Sequence, residues 1–156
     1  MNYARHDQFD LDRVDLGELG GSLGFLLRMA QLQAFEAFFR TAGNELKPGE
    51  FTVLWVIGLN PGLRQGTIAR RLRIKPAHMT KLIRRIVDAG LVEREIPPDD
   101  RRSVRLSLTR AGRAFVEKHK ATLRNSQDAE RVALSDQEYK AIVGLLRKVI
   151  GTWGSG

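Results

Sequence analysis

Residues 96–109 read IPPDDRRSVRLSLT. In the second half, apolar Val104, Leu106 and Leu108 alternate with Ser103, Arg105, Ser107 and Thr109. A period of two sends successive side chains to opposite faces, the pattern of a strand buried on one side. Just upstream, LVEREI (91–96) reads as a second strand, and PPDDRR joins the two. That connection is too long for a tight two-residue hairpin, so an extended loop is expected at the tip. Its prolines cannot continue the ladder. The tip therefore carries Asp99, Asp100, Arg101 and Arg102 on a two-stranded lever.

What flanks the hairpin decides the fold. Thr109 stands where a helix cap is needed, ahead of a helix from Arg110 to about Gln127. Ser135 and Glu138 form a capping box that opens a last helix. Its stripe of Tyr139, Ile142, Val143, Leu146, Val149, Ile150 and Trp153 suits packing on another helix. Upstream, PAHMTKLIRRIVDAG (76–90) starts with a proline and ends on a glycine, the favoured order for a helix. Met79, Leu82, Ile83, Ile86 and Val87 share one face of it; Ala77, His78, Thr80, Lys81, Arg84 and Arg85 share the other. A short helix, about Thr67 to Leu72, comes before.

LKPGEFTVLWVIGLNPG (46–62) is a further helix, with Pro48 in its first turn, Glu50 complementing its dipole and Asn60-Pro61-Gly62 stopping it. The first long helix runs from about Leu16 to Thr41 and bears two apolar stripes. One is Leu23, Leu27, Ala30, Ala34 and Phe38; the other is Phe25, Leu32 and Phe39. Two stripes mean cover on two sides, one by the chain's own core and one by a partner chain or a ligand. Residues 1–15 read as a flexible arm. The expected architecture is mainly α with a small β-hairpin wing: a winged helix-turn-helix lobe over 63–109, and dimerisation helices over 16–62 and 110–153.

Charge is concentrated in that lobe. The 156-residue chain has a net charge of +8. Residues 63–113 hold 14 of its 26 Lys and Arg but 5 of its 18 Asp and Glu, a local +9. A block of this sign is the footprint of a polyanionic partner. In a helix-turn-helix pair the second helix enters the major groove, and its N-terminal residues face base edges. Here Ala77 and Thr80 allow close approach, His78 is a short donor or acceptor, and Lys81, Arg84 and Arg85 reach bases and phosphates.

The run from Asp100 to Thr109 fits the pattern D-x-R-x5-L-T, through Asp100, Arg102, Leu108 and Thr109. With GLVERE before it and RAG after it, this resembles the wing of the MarR family of bacterial transcription regulators. The likeness extends from SLGFLLRMAQ in the first helix to the capped last helix. It implies a homodimer with interlocked terminal helices, gripping a pseudo-palindromic double-stranded DNA operator. It assigns Arg102 to the minor groove and Asp100 to holding the wing; Arg101 and Arg105 have no such assigned place and are expected to meet the DNA backbone or solvent. Narrow minor grooves concentrate negative potential and attract an inserted Arg, which agrees with the assignment.

The family usually answers to a small molecule, often an aromatic acid. Cysteine is absent, which excludes a thiol oxidation sensor. Phe25, Met29, Phe35, Phe39 and Trp55 offer an apolar lining, and Arg28 and Arg40 offer partners for a carboxylate or an acyl thioester's phosphates. The expected function is a ligand-responsive repressor; the alternative is a ligand-independent global regulator or an architectural DNA-binding protein. No cofactor or metal is implied. Three histidines (His6, His78, His119) without a cysteine, a phosphate loop or metal spacing argue against an enzyme. No apolar run reaches the roughly 18–20 residues of a membrane span, and MNYARHDQFDLDRVD is no signal peptide, so a cytoplasmic protein is expected.

Overall fold

The computed structural model describes residues 14–42, 47–97, 103–131 and 134–152. A 3₁₀ turn (Gly17–Gly21) leads into α1 (Leu23–Ala42), α2 (Pro48–Leu59), β1 (Leu63–Arg64), α3 (Gln65–Arg71) and α4 (Pro76–Asp88). Then come β2 (Val92–Glu95), β3 (Arg105–Leu108), α5 (Arg110–Arg131) and α6 (Asp136–Thr152). The chain divides into two compact units, with the boundary between Glu36 and Ala37.

In the first unit, the helix expected from Leu16 begins at Leu23 instead. Gly20 and Gly21 are poor helix formers, and Ser22 turns extended with ψ 134. The Ser22 carbonyl then accepts the Leu26 N–H at 3.0 Å and opens α1. Leu23, Leu26, Met29 and Leu32 are exposed along this helix, while Phe25 and Leu27 are half-buried.

The second unit is built around α2, which is apolar on all sides and accordingly central. Val53, Leu54 and Ile57 are fully buried, and α2 contacts α3, α4, α5 and β3. Each such side chain contributes roughly 1.5–3 kcal/mol over an exposed one. The sheet has three strands in the order β1-β3-β2, all antiparallel, where a two-stranded hairpin was expected. Leu63 pairs with Leu106 and Arg64 with Arg105, which places β3 in the middle and buries Leu106 and Leu108. A two-residue strand is too short to show any period, so β1 leaves no mark in the sequence. β2 and β3 are shorter than read, α3 begins at Gln65 rather than Thr67, and α5 continues to Arg131 rather than Gln127.

The caps follow the sequence closely. Thr109 Oγ1 accepts the Gly112 N–H at 3.0 Å and donates to the Gly90 carbonyl at 2.7 Å, tying the start of α5 to the end of α4. Glu138 accepts the Ser135 N–H at 2.8 Å and the Ser135 hydroxyl at 2.6 Å, opening α6. The bonds from Ser135, side chain first and backbone second, hold the Glu138 carboxyl below its usual 4.5. A depressed pKa favours the folded cap at neutral pH, and the contribution is lost as pH falls through that lowered value.

Candidate nucleic-acid interface

The structure divides α4 cleanly. Met79, Ile83 and Ile86 are fully buried, Leu82 nearly so, and Val87 is half-buried. Ala77, His78, Thr80, Lys81, Arg84 and Arg85 are all exposed, on one continuous face. Pro76 opens the helix after an extended Lys75, and Gly90, at φ 71, closes it. The Gly90 N–H reaches the Val87 carbonyl and the Leu91 N–H reaches that of Ile86, a Schellman closure.

The turn from α3 to α4 has the same geometry with an unusual residue. Arg73 sits at φ 53, a conformation that favours glycine. Its N–H donates to the Arg70 carbonyl at 3.2 Å, and the Ile74 N–H donates to that of Ala69 at 2.9 Å. This closure sets how α4 leaves α3. Thr80 is fixed as well: its hydroxyl donates to the Pro76 carbonyl at 3.0 Å.

The cations of α4 have different surroundings. Arg84 lies 3.8 Å from Asp88 one turn away, with both side chains largely in solvent, a pairing worth little. Arg85 Nη1 lies 2.8 Å from Glu50 Oε1, and the Glu50 side chain is only 4% exposed. The other Glu50 oxygen accepts the Lys47 N–H at 2.9 Å. Glu50 thus caps α2 and grips the last turn of α4 at once. The sequence reading found the first role through the helix dipole; the second joins residues of two separate helices, which no local pattern records.

In the wing, Val92 faces Leu108, Glu93 faces Ser107, Arg94 faces Leu106 and Glu95 faces Arg105. Asp100, Arg101 and Arg102 lie outside the described residues.

Of the predicted ligand pocket, Trp55 joins an aromatic cluster in the second unit. Phe51 stands 5.7 Å from Trp55 and 4.8 Å from Phe38 between ring centroids. Buried His119 lies 6.1 Å from Phe51 and 4.4 Å from Phe115. Phe25, Arg28, Met29 and Phe35 belong to the first unit, Arg40 is exposed in the second, and the Phe39 side chain lies outside the described residues. Phe115 and His119 had drawn no role from the sequence, although their spacing of four on α5 puts them on one face.

The MarR family model matches residues 46–104, a span that takes in α2, β1, α3, α4 and β2 and ends just before β3. A Thauera aromatica protein assigned as the transcriptional regulatory protein for the hcr operon is 34% identical over 143 residues, which cover 90% of this chain and 86% of that one. The chain belongs to the MarR family. It is a transcriptional regulator of the MarR type. Among solved structures, the transcriptional repressor CouR bound to a 23-mer DNA duplex is 32% identical, with a TM-score of 0.80 over 88% of this chain and 99% of that one. CouR bound to p-coumaroyl-CoA also superposes with a TM-score of 0.80, at 28% identity over 88% of this chain and 98% of that one. Among the described residues of this MarR-family chain, no helix is long and apolar enough to cross a membrane.

Proposed function

We propose that this MarR-family chain is a homodimeric repressor that binds a pseudo-palindromic operator and leaves it when a small aromatic acid or acyl thioester binds. In this reading α4 enters the major groove. Ala77, His78 and Thr80 approach base edges, and Lys81 and Arg84 reach phosphates or bases. Arg85, held by Glu50, steadies the end of the helix. Asp100 orients the wing, Arg102 enters the minor groove and Arg101 meets the backbone.

The observation that carries the proposal is the division of α4: a fully buried aliphatic face behind a continuous exposed face rich in cations. CouR, similar over nearly its whole length, has been solved on DNA and with p-coumaroyl-CoA, which supports both the nucleic-acid partner and the effector class. The homodimer is supported by large apolar side chains left in solvent: Leu23 at 57% on α1, Leu145 at 60% and Ile150 at 62% on α6. In this reading the aromatic cluster around Trp55, within the second unit, offers the effector an apolar contact.

For release, the effector must favour a dimer geometry that mis-spaces the two α4 helices, by at least the factor it removes from operator affinity. Titration of the protein–operator complex with aromatic acids and their CoA thioesters tests this. Release by at least one member, with wild-type affinity retained in buffer alone, is expected. A complex insensitive to the whole series contradicts the ligand-responsive reading and favours a ligand-independent regulator.

A further inference from the structure

We propose that the Glu50–Arg85 ion pair couples the aromatic cluster around Phe51 to helix α4, a claim that rests on the DNA-binding reading above. Glu50 and Phe51 are consecutive in the first turn of α2. Successive residues of a helix point roughly 100° apart, so one turn faces two neighbours. On one side the Phe51 ring lies 4.8 Å from Phe38 of α1, 5.7 Å from Trp55 and 6.1 Å from His119 of α5, between centroids. On the other side, Glu50 Oε1 meets Arg85 Nη1 at 2.8 Å. Gly49 is seated against α4 as well: a Cβ there would stand 3.5 Å from Leu82 Cδ1.

The turn between the two contacts is closed on itself. The Lys47 carbonyl accepts the Glu50 N–H at 2.9 Å, and the Lys47 N–H donates to Glu50 Oε2 at 2.9 Å. The carboxylate is only 4% exposed, and a buried charge stripped of its partner is costly. A displacement of Phe51 therefore carries Glu50 with it, and Arg85 follows. Arg85 sits in the last turn of the 13-residue α4, whereas Ala77, His78 and Thr80 stand at its start. A pull at one end of the helix re-aims the other. Coupling between two sites is reciprocal, so a duplex that seats α4 acts back on the aromatic cluster.

That reciprocity gives a test that needs no effector. In protein labelled with fluorotryptophan, the fluorine signal missing from Trp55→Phe belongs to Trp55, and the other to Trp153. A duplex preferred by wild type and its scrambled counterpart are titrated into wild type, Glu50→Gln, Arg85→Ala, Arg85→Lys and the Glu50→Gln/Arg85→Ala double variant. Glutamine keeps an acceptor for the Lys47 N–H, and circular dichroism checks that each variant is folded. In wild type the Trp55 signal should shift with the preferred duplex and follow the binding curve. Glu50→Gln and Arg85→Ala should each lose most of that shift and about tenfold in preference for that duplex, the scale of an allosteric coupling. Arg85→Lys should keep most of both. The double variant should be no worse than either single one, because both act through one pair.

A Trp55 signal that ignores the duplex in wild type, or shifts equally in the folded variants, overturns the proposal. Variants that melt earlier yet keep wild-type preference also overturn it, since the pair then serves stability alone. A salt slope smaller by about 1 in Arg85→Ala does so too, by placing Arg85 on the DNA backbone. Failure of wild type to prefer any duplex removes the DNA-binding reading itself, a result distinct from these.

Discussion

Arg84 and Arg85 are neighbours in sequence and part company in space. Both fall on the polar face of α4, so helical periodicity could not separate them. Arg84 is in solvent, and Arg85 is bound to a carboxylate that is almost fully buried. The two kinds of cation should answer mutation differently. Arg85→Ala should lower unfolding free energy by about 1–2 kcal/mol, the lower end for a charge-assisted bond because the Arg85 side chain is 51% exposed. It should leave the salt slope of DNA binding nearly unchanged. Lys81→Ala should do the reverse, reducing the slope by about 1 with no change in stability. Denaturant melts and salt titrations on the two variants measure both quantities; equal slopes lost from each would place Arg85 on the DNA backbone.

Among the elements, the caps were the most legible and the joins the least. Thr109 and the Ser135–Glu138 box work through side chains a few residues away, so their chemistry is written locally. β1 depends on β3 as a partner, and the break before α1 depends on two glycines that the apolar stripe overrode in reading. Gly112 belongs with the joins. Its N–H completes the Thr109 cap, and a Cβ at this position would overlap the Leu91 carbonyl oxygen. A backbone oxygen cannot swing aside as a side chain can. Gly112→Ala should therefore destabilise the lobe by about 1–3 kcal/mol, the range for overpacking. A thermal melt equal to wild type would show that α5 does not pack against this turn.

At the scale of the whole molecule, residues 63–113 hold a local charge of +9, and α1 and α6 leave large aliphatic side chains in solvent. The charge block and the two stripes of the first helix were visible in the sequence, because composition and period need no tertiary knowledge. The aromatic cluster around Phe51 was not, because it gathers side chains from α1, α2 and α5 that no local period joins. The central claim is sequence-specific recognition by a two-fold pair of α4 helices. It is tested most directly by selecting the duplexes this protein binds from a random-sequence pool. The account predicts one inverted repeat with half-sites roughly 10 bp apart, matching a dimer on one face of the helix. A bound pool with no sequence in common, or with a single unrepeated site, would contradict it.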